Sequence, residues 1–102
     1  MRSSIYKVVL LCLISAAVTH THAAEAPAKE KLCQACHGAK GATPLLPQYP
    51  KLNGQNEAYL VSSLQAYRAG QRRGGLASAM AAQAARLTDA EIAALAAYYA
   101  AN

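Results

Sequence analysis

Apolar side chains recur at helical spacing in two clear stretches of this chain. Leu60, Leu64 and Tyr67 stand at i, i+4 and i+7 in a segment that starts at Asn56, and Gly70 is placed as its C-terminal stop. Ile92, Leu95, Ala96 and Tyr99 form a second apolar stripe. Thr88-Asp89-Ala90-Glu91 precedes that stripe as a capping box, with Leu87 and Ile92 positioned to form a hydrophobic staple. Nearer the N-terminus, Pro27 suits a first helical turn, and Lys29 to His37 continues the helix until Gly38 and Gly41 break it. Thr43 to Asn53 carries Pro44, Pro47 and Pro50, too many for a helix interior, and is predicted as an ordered loop. Gln71 to Gly75 is flexible and basic, and Ala77 to Ala85 is alanine-rich, helix-permissive and contains Met80. With no strand-like alternation, internal repeat or second domain, the expectation is a small all-α domain.

The first residues follow a different logic. Arg2 and Lys7 make a basic start, Val8 to Val18 is apolar, and Thr21-His22-Ala23 offers small residues for cleavage. This is the pattern of a secretory signal peptide over 1–23, leaving a domain over 24–102, with Ala24 as the neighbouring cleavage choice. The apolar run is short for a membrane span. Cys12, His20 and His22 would leave with this leader. Two cysteines, one histidine and one methionine would then remain, with neither Phe nor Trp. A domain of about 80 residues with such a core struggles to bury enough apolar surface by itself, so folding that depends on a bound cofactor is expected. Export also places the thiols in an oxidising bacterial periplasm, where a maturation system must deliver them reduced.

Cys33-Gln34-Ala35-Cys36-His37 names that cofactor's chemistry. A C-x-x-C-H run marks covalent attachment of c-type haem: two thiols add across the porphyrin vinyl groups, and the histidine offers a nitrogen to the iron. Residues three apart share a helix face, so Cys33 and Cys36 can reach one porphyrin edge together. A dithiol redox pair would want a βαβ context, a zinc site would need a second pair of ligands, and a simple disulfide leaves His37 unexplained.

Further residues extend the motif into a family pattern. Cys33 to Gly38, Pro47-Gln-Tyr-Pro50-Lys-Leu-Asn-Gly54-Gln55, Tyr59-Leu60, Gly70-Gln-Arg72, Met80 and Leu87 to Tyr99 follow one another along essentially the whole exported portion. In these the chain resembles a class I cytochrome c of the small bacterial periplasmic type, similar to one half of the two-haem proteins called cytochrome c-four. The resemblance implies a few helices packed around one covalently bound haem. The first and last helices, about Pro27 to Cys36 and Asp89 to Ala100, would cross each other.

The same resemblance implies Met80 as second axial ligand opposite His37, and the Pro47 carbonyl as acceptor for the His37 Nδ1–H, with Pro44 and Pro50 close by. Thioether ligation favours ferrous iron and raises the reduction potential. The function implied is a single-haem periplasmic electron carrier rather than an enzyme. Its partners would be other redox proteins: a quinol–cytochrome c oxidoreductase upstream, and a terminal oxidase or reductase downstream. Two alternatives share the motif: a haem subunit of a periplasmic dehydrogenase, and a ligand-sensing haem protein with an open sixth position. The formal charge of +5 falls to +3 once Arg2 and Lys7 leave. Lys40, Lys51, Arg72 and Arg73 are available to steer an acidic partner. Nothing resembles a base-reading module for nucleic acid.

Overall fold

The computed structural model describes residues 16–18 and 25–102, so the expected leader and its cleavage site lie almost wholly outside the described residues. Four α-helices and one 3-10 turn make up the regular structure among those residues. They are α1 (Glu30–His37), the turn Ala39–Gly41, α2 (Glu57–Arg68), α3 (Ala77–Ala84) and α4 (Asp89–Ala101).

Helix α1 starts three residues later than Pro27, because the Pro27 carbonyl is used in a turn that accepts from Glu30 N at 2.9 Å. It ends at Gly38, whose φ of 79° and ψ of 171° no other residue adopts readily. The proline-bearing segment that follows is ordered, as expected, and three of its backbone bonds tie it down. Leu45 N donates to Cys36 O at 2.9 Å, Leu52 N to Gly41 O at 2.9 Å, and Gly54 N to Tyr99 O at 2.8 Å. The loop is thereby fastened to the end of α1, to the 3-10 turn and to α4. Gly41 is required at the middle anchor: a Cβ there would stand 2.7 Å from Leu52 Cβ and 3.0 Å from the Tyr99 ring.

Helix α2 is capped by Asn56, whose side chain accepts from Tyr59 N at 2.9 Å. Helix α4 carries the anticipated capping box: Glu91 N donates to Thr88 Oγ1 at 3.1 Å, and Thr88 N to Glu91 Oε1 at 3.0 Å. Leu87 and Ile92, the expected staple pair, are both buried in the core.

That core is centred on α4. Ile92, Leu95, Ala96, Tyr98 and Tyr99 are buried there, together with Leu60 of α2, Ala84 of α3 and Leu87. Arg68 holds α2 to the start of α4, donating to Leu87 O at 3.1 Å and to Asp89 Oδ1 at 2.6 Å. Lys29 reaches Glu91 at 3.5 Å, and Tyr99 reaches Glu30, so the first and last helices meet. Ile92 and Leu95 are the largest side chains wholly removed from solvent. Full burial of each contributes about 1.5–3 kcal/mol, a small sum against the ordering of some 80 residues. Leu32, Leu45, Leu46 and Leu76 meanwhile stay exposed.

The α4 cap gives a first prediction. Thr88→Ala is expected to cost about 1 kcal/mol in denaturant unfolding of the haem-loaded protein. The Glu91 carboxyl is held below the usual carboxylate range, mainly by the Thr88 backbone N–H and next by Lys29. A carboxyl pKa lowered by folding contributes stability above its unfolded value and loses it as pH falls. The Thr88 backbone N–H survives in Thr88→Ala, so the variant should lose stability in acid, as Glu91 protonates, much as the unaltered protein does.

Candidate haem site

The motif residues occupy the C-terminal half of α1 and do not share one environment. Cys33 is half-buried and packs against the core cluster, whereas Cys36 is exposed, and both are free thiols. The Cys33 thiol donates weakly to Lys29 O at 3.8 Å, one helical turn back. Burial pushes the Cys33 pKa up, opposed by the Tyr99 hydroxyl and reinforced by the charge of Glu30. Its thiol is thus the more protected of the two against oxidation, since the thiolate is the reactive form.

His37 is 4% exposed, and its Nδ1 lies 2.7 Å from the Pro50 carbonyl oxygen. A carbonyl can only accept, so Nδ1 carries the proton and donates. The lone pair is then on Nε2, the nitrogen left to face a metal, and the ring is locked in that tautomer. The accepting residue is Pro50 rather than Pro47. Pro47 sits within a local turn that Tyr49 N closes onto Leu46 O at 3.0 Å. Pro50 immediately precedes Lys51-Leu52, and Leu52 N is fastened to Gly41 O, so it is the returning arm of the loop that passes over His37. Half-buried Leu52 is where the chain comes back to the core, but Leu45 and Leu46 of the same loop are exposed, so no apolar pattern in the sequence singled it out. Tyr49 adds a tilted ring with its centroid 6.3 Å from that of His37.

Met80 is half-buried on α3, which packs on α2 through its own helix face. The basic segment before it is pinned in two places. Arg72 stacks over the Tyr67 ring at 4.4 Å, and Arg73 Nε donates to Gly70 O at 2.9 Å. Lys40 and Lys51 are both exposed, and Lys40, just past the motif, holds a left-handed backbone with φ of 56°. The sequence places Tyr99 on the apolar stripe of α4 but marks no role for Glu30, and the two side chains join beneath Cys33.

These residues fit a haem. Among the described residues no group of three or more His, Cys, Asp or Glu side chains is gathered as for a bare metal ion. A single prepared imidazole beside two free thiols is instead the donor set of a porphyrin that brings its own four nitrogens. The exposed leucines and the sparse core supply the apolar surface that such a group would cover.

Fold and site together define a c-type haem protein: a small helical domain whose first helix presents two thiols and one oriented imidazole. The chain belongs to the cytochrome c family, which it matches over residues 22–100. It is similar to cytochrome c-554(548) of Halomonas halodenitrificans, 54% identical over 67 residues, covering 66% of this chain and 80% of that protein. It is also similar to cytochrome c4 of Pseudomonas aeruginosa, 40% identical over 78 residues, and of Thiocapsa roseopersicina, 45% identical over 69 residues. The matches cover 76% and 68% of this chain but only 37% and 33% of those two proteins. The family's cofactor is covalent haem c, and Cys33 and Cys36 fit its attachment.

Proposed function

We propose that this protein is a single-haem periplasmic electron carrier whose iron is held between His37 and Met80. The observation that carries this reading is the His37–Pro50 hydrogen bond, which prepares one buried imidazole nitrogen beside the two thiols of the motif. When bound, the haem supplies a one-electron ferric/ferrous couple. Cys33 and Cys36 hold it through two thioethers, so it stays in place in both oxidation states. Pro50 keeps the His37 ring from turning and raises its basicity as a ligand. Met80, the one methionine outside the expected leader, is the soft donor that favours the ferrous state. Held by His37 and Met80 together, the iron would have no open site for a substrate, which suits an electron carrier.

Family membership supports electron transfer, and therefore redox proteins as partners. We assign the periplasm from the basic, apolar and small-residue order of residues 1–23. No helix among the described residues is long and apolar enough to cross a membrane. The partners in this reading are a quinol–cytochrome c oxidoreductase as donor, and a terminal oxidase or a periplasmic dehydrogenase system as the other party.

The axial pair is tested by absorption spectra of protein matured in a periplasm. Ferric protein should show the weak far-red band of sulfur-ligated iron. Met80→Ala should abolish that band, lower the midpoint potential and open the reduced protein to carbon monoxide. Persistence of the band in Met80→Ala would overturn Met80 as ligand, and carbon monoxide binding by the unaltered reduced protein would favour a sensor.

A further inference from the structure

Glu30 is a carboxylate that the haem attachment does not require, yet it is 4% exposed and lies one turn before Cys33 on the same helix. Its partner is the Tyr99 hydroxyl, which donates to Glu30 Oε1 across 3.2 Å from α4. The Cys33 thiol faces the same hydroxyl. No cation neutralises Glu30 among the described residues: Lys29 is turned to Glu91, and Lys31 and Lys40 are exposed. Tyr98 packs edge-on to Tyr99 with centroids 5.2 Å apart and brings no charge. Cys33 ceases to titrate once it is a thioether. Burial raises the Tyr99 pKa well above its usual value, and the charge of Glu30 adds to it, so Tyr99 remains a donor at all ordinary pH.

We propose that Glu30, held by Tyr99 beneath the attachment residue Cys33, is a positioning residue that lowers the haem potential by its charge. The inference rests on the haem-carrier reading above. A buried carboxylate without a counter-ion acts on neighbouring charge through a low dielectric, and so favours the ferric over the ferrous state. On reduction one electron passes from a donor protein to the iron, and oxidation returns it.

The test is the midpoint potential of the haem-loaded protein at neutral pH, with Glu30→Gln, Glu30→Asp and Tyr99→Phe alongside. Glu30→Gln should lie above the unaltered protein. The offset expected is a roughly tenfold change in electron affinity, about 59 mV for one electron. Glu30→Asp keeps the charge and should stay near the unaltered value. Tyr99→Phe removes the hydroxyl dipole that partly offsets the carboxylate and should lower the potential. A purely structural contact would lower thermal stability in the variants and leave the potential where it was, which overturns the proposal. Should Glu30→Gln fail to mature, an unmoved potential in Tyr99→Phe overturns it equally. Absence of covalent haem or of a one-electron couple in the unaltered protein defeats instead the carrier reading on which it stands.

Discussion

Replacing both Cys33 and Cys36 by alanine is expected to yield a polypeptide without covalent haem and without a stable fold. The mass spectrum after periplasmic expression should show the bare chain, and far-ultraviolet circular dichroism should show a large loss of helix. The chemical half of this expectation follows from the attachment: with no thiols, nothing adds to the porphyrin vinyl groups. The folding half follows from the core. Ile92 and Leu95 are the largest fully buried side chains, and leucines at 32, 45, 46 and 76 remain exposed. Below about 80 residues, a core of that size rarely sustains more than 3–5 kcal/mol without a staple, and the haem is the staple.

The single variants should not be equivalent. Cys33 packs against the core cluster and Cys36 is exposed, so Cys33→Ala should cost about 1 kcal/mol more in unfolding than Cys36→Ala. Covalent haem in the double variant, or equal stability of the two singles, would contradict the arrangement described.

Gly38→Ala is expected to lower the melting temperature of the haem-loaded protein by roughly 10–20 °C and to disturb the iron's ligation as well. Gly38 combines φ of 79° with ψ of 171°, a region that costs any other residue about 1–3 kcal/mol. The space is closed too. An added Cβ would stand 2.0 Å from Thr43 O and 2.5 Å from Thr43 C, both backbone atoms that yield only if the loop moves. That loop carries the Leu45 N bond to Cys36 O and the Pro50 carbonyl on His37 Nδ1. Displacing it frees the imidazole ring, so the potential should shift together with the melting temperature. A variant that loses stability with its midpoint potential unchanged would separate the loop from the ligand's orientation.

Much of this architecture was legible along the chain because it is local. The α4 cap needs only Thr88, Glu91 and the backbone between them, and the helix begins where those residues stand. The stop at Gly38 is likewise written in one residue, and the spacing of Cys33, Cys36 and His37 carries the attachment chemistry without reference to anything distant. The start of α1 was less legible, because Pro27 fits both a first helical turn and the preceding turn that the chain adopts.

Long-range placement was not legible. Three prolines occur within seven residues of each other, all stiff and all able to present a carbonyl. The choice of Pro50 over Pro47 is made by Leu52 anchoring on Gly41, a contact across eleven positions that periodicity does not encode. Glu30 and Tyr99 are 69 residues apart, and on α1 the glutamate reads as an ordinary acidic residue of a first helical turn. Sequence by itself determined the helical class, the caps and the haem attachment, because each depends on neighbours within a turn or two. Only the tertiary structure decided which carbonyl orients His37 and which charge lies buried beneath Cys33, because both depend on where the loop and α4 come back against α1.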